Sequence, residues 1–268
     1  MRFIAAAIQM LASPDKKANL MEAEVRVREA ASQGAKIVVL PEVFNWRGAK
    51  EDERSSAEPV PGPTSEQMAR LARGLRIYLL AGSILEEIPG GAKPYNTSLL
   101  FDPEGNLLAR YRKMHLFDVQ IGGRVSAMES GSRQAGEEIV VAETGLCRMG
   151  LTICYDLRFP ELFRALVGKG AQVIFVPSAF TAFTGEAHWE PLLRARAIEN
   201  QVYIIAPDQT GKNPKSFAAY GHSMIVDPWG RILAQASDGP EVLVAEIDLA
   251  YLARVRAELP ALSHRKIF

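Results

Sequence analysis

The chain has 268 residues, 48% hydrophobic and 23% charged, which excludes disorder and collagen-like repetition and leaves room for one large domain or two small ones. Thirty-one basic residues offset thirty-one acidic ones, so no global field draws the chain to nucleic acid or an anionic membrane, and the expected partner is a small molecule or another subunit. Two cysteines, Cys147 and Cys154, cannot build a disulfide framework and a chain this long needs none, so the thiols point to a reducing compartment, the cytoplasm.

The opening run Arg2-Phe3-Ile4-Ala5-Ala6-Ala7-Ile8 briefly imitates a signal peptide, but Gln9 interrupts it and Asp15-Lys16-Lys17 follows, so it reads as a first buried strand. No apolar stretch approaches the roughly 20 residues needed to span a bilayer. Ser13-Pro14 reads as an N-cap and first turn, and Leu20, Ala23, Val27, Ala30 and Ala31 recur at helical spacing until Gly34. Lys36-Ile37-Val38-Val39-Leu40 is a short, branched, fully buried strand ending at Pro41-Glu42. A helix over 64–73 and a strand over 76–82 follow, and the alternation implies a layered α/β fold.

Comparing the chain with itself adds more than propensity does. Ser98-Leu99-Leu100-Phe101-Asp102-Pro103-Glu104-Gly105 returns as Ser223-Met224-Ile225-Val226-Asp227-Pro228-Trp229-Gly230, both hairpins turning on Asp-Pro-x-Gly at an offset of 125 residues. Residues 138–143 echo 241–246, and 36–41 echo 172–177. Two such halves predict two facing sheets with helices outside, a four-layer α-β-β-α sandwich spanning 1–268 as a single domain. The first half carries about 22 extra residues, 113–134, that read as a loop and need a purpose.

Met149-Gly150-Leu151-Thr152-Ile153 reads as a strand and Phe159-Pro160 opens a helix, which puts Cys154 at a sharp turn. Such an elbow presents a nucleophile at a sheet edge, with nearby backbone N–H groups to receive an oxyanion. Cysteine is also a common core residue, and Cys147 in its turn near Gly145 fits that plainer reading. Among the bases, His115, His188, His222 and His264 lack any companion at metal-ligand spacing, so no zinc site is expected, and no protease-like signature surrounds Cys154. Glu42 lies just past an apolar strand, where an ionised carboxylate needs a partner, while its repeat counterpart is Ser178. Lys113 ends another strand. Each charge alone is an ordinary strand-end residue; together, Glu42, Lys113 and Cys154 form a base, an electrophile and a nucleophile.

Here the chain resembles the nitrilase, or carbon-nitrogen hydrolase, superfamily. The resemblance runs through Leu40-Pro41-Glu42, Tyr111-Arg112-Lys113-Met114-His115, Gly150-Leu151-Thr152-Ile153-Cys154-Tyr155-Asp156-Leu157-Arg158-Phe159-Pro160-Glu161, Pro177-Ser178-Ala179-Phe180 and Ala187-His188-Trp189-Glu190, in order over almost the whole chain. The later motifs Thr184-Gly185-Glu186, Tyr220-Gly221-His222-Ser223 and Asp227-Pro228-Trp229-Gly230 are most similar to the branch holding deaminated glutathione amidase and ω-amidase. The segments 43–48 and 119–134, which flank the expected pocket, depart from that branch.

The resemblance implies a Glu-Lys-Cys triad, an acyl thioester on Cys154, no metal or organic cofactor, and homo-oligomers, a dimer or larger. It implies that Lys113 and the Tyr155 backbone N–H meet the oxyanion, and that Glu129, 16 residues past Lys113, orients the lysine and the substrate amide; otherwise Glu129 is an exposed loop acid. Arg158 offers a bidentate fork to a substrate carboxylate or forms a surface or interfacial ion pair. Phe180 and Thr184 form a pocket wall and rim or are ordinary packing, and His188 with Trp189 opens the helix to Asn200. The expected activity is hydrolysis of the amide of a small carboxylated molecule, with deaminated glutathione preferred and 2-oxoglutaramate or another aliphatic or carbamoyl amide as the alternative. A noncatalytic scaffold of the same fold is the reading from another class.

Overall fold

The computed structural model describes residues 1–213 and 216–267. Strand β1 (Arg2–Gln9) leads into helix α1 (Lys16–Ser32) and strand β2 (Ala35–Val39). Asp15 caps α1 by accepting from the Ala18 N–H at 3.0 Å, whereas the expected cap, Ser13, uses its hydroxyl to accept from the Asp15 N–H at 3.1 Å. The helix starts two residues later than expected because aspartate competes successfully for the free N–H groups of the first turn. A four-residue helix, α2 (Glu53–Ser56), precedes α3 (Pro63–Leu75). Arg76 closes α3 in the left-handed region at φ 53°, which shortens the expected strand over 76–82 to β3 (Tyr78–Leu80).

Strands β4 (Ile84–Glu86), β5 (Tyr95–Phe101) and β6 (Leu107–Arg112) complete the first half's sheet. The stretch expected to be loop contains a hairpin, β7 (Asp118–Ile121) with β8 (Val125–Met128), that pairs with no other strand. Its polar, half-exposed alternation hides it from a search for buried runs. The first half ends with β9 (Val141–Glu143), and the second supplies β10 (Arg148–Leu151), α4 (Pro160–Gly168), β11 (Val173–Phe175), α5 (Ala182–Asn200) and β12 (Tyr203–Ala206). It continues with β13 (Thr210–Lys212), β14 (Ala218–Tyr220), β15 (Met224–Val226), β16 (Ile232–Gln235), β17 (Glu241–Asp248) and α6 (Leu249–Glu258).

The sheets are ordered β17-β1-β2-β3-β5-β4, with β6 on β5, and β16-β15-β12-β11-β10-β9. Alternate residues of β1 and β2 face opposite ways. Ala5, Ala7, Ile37 and Val39 join one core with Leu151, Phe175 and Ile205 of the other sheet, while Ala6, Ile8 and Val38 join another with Ala23 and Val27 of α1 and Met68 of α3. Burial on both faces explains the unbroken apolar runs. With α4 and α5 on the outside of the second sheet, the layers are α-β-β-α, as the internal repeat implied.

The two Asp-Pro-x-Gly turns repeat atom for atom. Asp102 Oδ1 accepts from Glu104 and Asn106 N–H, and Asp227 Oδ1 accepts from Trp229 and Arg231 N–H, with Gly105 and Gly230 both at φ 82°. Only glycine enters that region without cost. The closing strands, however, change places. β9, from the first half, pairs with β10 in the second sheet, and β17 lies antiparallel to β1 in the first, from Arg2↔Asp248 to Gln9↔Glu241.

Candidate active site

Glu42, Lys113 and Cys154 follow β2, β6 and β10, and the sandwich brings these ends to one cavity of about 320 Å³. Repeat counterparts touch there: the Glu42 N–H donates to the Ser178 carbonyl at 3.3 Å. Glu42 is buried and fully engaged. Its Oε1 accepts from Asn96 Nδ2 at 2.7 Å and Lys113 Nζ at 2.9 Å, and its Oε2 accepts from the Ala179 N–H at 2.8 Å.

Lys113 Nζ also donates to Glu129, at 2.9 Å to Oε2 and 3.2 Å to Oε1. Burial acts to lower the ammonium pKa, but Glu129 and Glu42 outweigh it, so the lysine is held above its ordinary value and stays cationic. Glu129, on a short turn directly after β8, accepts from the Phe117 N–H at 2.7 Å and from Arg133 Nη1 at 2.7 Å. Burial pushes its carboxyl upward, and Lys113, Arg133 and the Phe117 hydrogen bond overcome that and bring it to about 2. Arg133 is itself clamped by Glu53 at 2.6 and 3.2 Å.

Cys154 sits at φ 48°, a left-handed conformation that a side chain adopts at a cost of order 1–3 kcal/mol and that marks a constrained site. Asp156, fully buried, holds the elbow: its carboxylate accepts from the Ile153 N–H at 2.8 Å, Tyr111 Oη at 2.7 Å and the His115 N–H at 3.1 Å. Cys154 is 8% exposed. Burial, then Glu42, drive its thiol well above the ordinary cysteine range, against the opposing pull of Lys113. The resting group is therefore a neutral thiol that needs a base.

The remaining expected site residues line the same cavity. The Tyr155 ring packs edge-on against Phe117, centroids 5.0 Å apart. The Arg158 guanidinium lies 5.2 Å from the centre of the Phe180 ring, with Nη1 3.2 Å from His188 Nδ1. Thr184 bonds Thr181 Oγ1 at 2.6 Å in the first turn of α5. That helix opens at Ala182 and not at His188 and Trp189, which lie in its second turn; Thr181 is the cap. None of the four histidines is among the residues lining the cavity, and His115 instead meets Asp156 at 2.7 Å. Among the described residues, no group of three His, Cys, Asp or Glu side chains is placed to hold a metal ion.

The pattern of the carbon-nitrogen hydrolase family matches residues 4–257. The chain belongs to that family. An omega-amidase from Xenopus tropicalis is 42% identical over 99% of this chain and 95% of its own length. A deaminated glutathione amidase from Synechocystis sp. is 44% identical over 98% of each chain. Among solved structures, the C. elegans NitFhit protein superposes with TM-score 0.93 at 42% identity over 99% of this chain, which spans 65% of that longer one. An amidase from Nesterenkonia (27% identity, TM-score 0.81, 96% and 98% covered) has been solved with acrylamide added at its active site cysteine. This carbon-nitrogen hydrolase therefore acts on bonds other than peptide bonds, with the nitrilase-superfamily fold.

Sequence reasoning missed several groups that the fold brings in. Asn96 and Ala179 reach Glu42, Arg133 and Glu53 support Glu129, and Arg47 lines the cavity from the segment 43–48. Asn96 had a local signal, as the first of three buried polar residues (Asn96-Thr97-Ser98) in strand β5, whereas Arg47, Glu53 and Arg133 are isolated charges and Ala179 acts through its backbone N–H. Cys147 is buried in the core, its thiol pushed up to about 12 by burial, in keeping with a packing role.

Proposed function

We propose that this carbon-nitrogen hydrolase is a cysteine-dependent amidase in which Glu42, Lys113 and Cys154 carry the chemistry and Glu129 positions the lysine. The observation that carries the reading is the contact of Lys113 Nζ with both Glu42 and Glu129, at 2.9 Å each, in the cavity that also holds the Cys154 elbow. Cys154 Sγ bonds to the amide carbonyl carbon while its proton passes to Glu42. The carbonyl electron pair moves to oxygen, where Lys113 Nζ and the Tyr155 N–H receive it. The carbon–nitrogen bond breaks, Glu42 returns the proton to the departing amine, and an acyl thioester remains. Glu42 then takes a proton from water, the hydroxyl adds to the thioester carbon, and the acid leaves as Sγ is reprotonated.

The substrate is a small carboxylated amide, with deaminated glutathione preferred, giving 2-oxoglutarate and cysteinylglycine. Arg158 takes a carboxylate, and Phe180 and Thr184 form the wall and rim. The second reading, ω-amidase action on 2-oxoglutaramate, is supported by the omega-amidase relative at 42% identity. Residues 1–268 act as one catalytic domain, without a metal or organic cofactor, in the cytoplasm. A homodimer or larger homo-oligomer is supported by the exposed Ile198 of α5 and Trp229, at 49% and 51%, beside the Asp227–Gly230 turn.

The test is an amide panel with Cys154→Ala as the blank. Ammonia release identifies the ω-amide, dipeptide release the deaminated glutathione. Mass spectrometry should find an acyl adduct on Cys154 in the wild type; a Cys154→Ala protein that hydrolyses at near-normal rate refutes the assignment, and absence of any adduct or turnover favours a scaffold.

A further inference from the structure

Arg47 is 4% exposed, yet no carboxylate oxygen among the described residues comes within ion-pair distance of it. Its Nη2 donates to Ser216 Oγ at 3.3 Å and to the Phe217 carbonyl at 3.1 Å, and the guanidinium carbon lies 5.0 Å from the centre of the Phe217 ring. Nη1 is buried with no hydrogen-bond partner. Glu42 and Asp208 lie close enough to attract the charge, but their oxygens are committed elsewhere: Glu42 to Asn96, Lys113 and Ala179, and Asp208 to the N–H groups of Phe180 and Gly221.

A buried cation without a counter-ion costs several kcal/mol of folding free energy, so a fold that keeps one invites a reason. The backbone makes the placement firm. The Arg47 N–H donates to the Ser13 carbonyl at 3.0 Å, its carbonyl accepts from Asn213 Nδ2 at 2.9 Å, and Asn19 ties the preceding Asn45 carbonyl at 2.9 Å. Of the other cations lining the cavity, Arg133 and Lys113 are saturated by carboxylates, and Lys50 donates to the Met128 carbonyl at 2.7 Å. Arg158 is not, but it belongs to a different segment, with Tyr155, Phe180 and His188 around it.

We propose that Arg47 is a second carboxylate-binding group of this cavity, so that the preferred amides carry two carboxylates, one read by Arg158 and the other by Arg47. The inference rests on the amidase reading above and narrows its substrate class to dianionic amides. An incoming carboxylate beside this cavity-lining guanidinium supplies the charge that the site lacks, in a place from which water is largely excluded.

Four amides separate the two carboxylates: butyramide with none, glutaramate with one on the acyl side, N-butyrylglycine with one on the amine side, and N-glutarylglycine with both. In Arg47→Met the gain in kcat/KM that one of the carboxylates confers in the wild type should fall about 10- to 100-fold, while the gain from the other persists; Arg158→Met should show the converse. Arg47→Lys, which keeps the charge and loses the fork, should lie between. Either gain pattern unchanged, or all four substrates reduced alike with a lowered Tm, assigns Arg47 to tethering residues 216 and 217 and overturns the proposal. Calorimetric binding of N-glutarylglycine to Cys154→Ala, with and without Arg47→Met, tests the subsite without turnover. It should weaken by the same factor, and equal affinity overturns the inference. Residual hydrolysis by Cys154→Ala would instead strike the amidase reading, leaving the binding comparison to decide Arg47.

Discussion

Glutamine at position 129 would remove one charge and leave two cations facing it. Glu129 accepts from Lys113 at 2.9 Å, Arg133 at 2.7 Å and the Phe117 N–H at 2.7 Å, and its carboxyl falls from an ordinary 4.5 to about 2. That depression means that the folded state favours the ionised carboxylate and is stabilised by it. Glu129→Gln forfeits that stabilisation and turns an NH2 toward one of the cations, so urea unfolding should report a loss of about 2–4 kcal/mol. Turnover should fall further, about 100-fold in kcat with a smaller change in KM, because Lys113 keeps only Glu42 and is no longer aimed. The double variant Glu129→Gln/Arg133→Gln separates the effects. It restores the local net charge but leaves Glu53 without its arginine, so only part of the stability should return, and it cannot hold Lys113 and should stay slow. A double variant that regained wild-type kcat would refute the positioning role, and a single variant within twofold of wild-type kcat would do so directly.

Acid should destabilise the fold through the same group. The folded carboxyl titrates near 2 and the unfolded one near 4.5, so the unfolded chain binds more protons between those values; stability is full above about 4.5 and declines as pH falls toward 2. Glu58 and Glu86, both held below the ordinary range despite burial, add to the same slope, and the urea midpoint followed against pH should flatten in Glu129→Gln. Asp156→Ala should cost about 2–4 kcal/mol, since it strands the buried Ile153 N–H and Tyr111 hydroxyl, and should depress kcat by freeing the Cys154 elbow; Asp156→Asn should recover part of the melting temperature. In Gly82→Ala the new Cβ would lie 1.9 Å from the Pro41 carbonyl oxygen and 2.5 Å from that of Leu40, at φ 24°, so the backbone beneath Glu42 must shift. A Tm loss of many degrees is expected, and a soluble, fully active variant would show that this contact does not fix Glu42.

Legibility in the sequence followed the range of the interaction. Glu42, Lys113 and Cys154 could be placed together because each closely follows a strand, buried in β2 and β10 and half-exposed in β6, and strand ends are where sheets present side chains to one site. The sandwich was legible because the Asp-Pro-x-Gly turn demands a left-handed glycine and so recurs with the repeat. The hairpin that carries Glu129 is half-exposed on both strands, so no buried period marks it. The start of α5 was hidden by Gly185 and Pro191, two poor helix formers. Glycine is needed at 185 because a Cβ would lie 2.2 Å from the Tyr220 ring, a neighbour supplied by β14. Arg47, Glu53 and Arg133 gain meaning only from neighbours distant in the chain, and no local pattern distinguishes them from solvated charges.

The exchange of closing strands between the halves sets an order of assembly. Until residues 241–248 have left the ribosome, β1 is an open, apolar sheet edge whose eventual partner is more than 230 positions away. The first half meanwhile offers β9 to a sheet not yet synthesised. Until residue 241 emerges, a nascent chain of this protein thus carries an unpaired edge of alanines, the kind of surface that chaperones hold and that pairs with the wrong strand in a crowd.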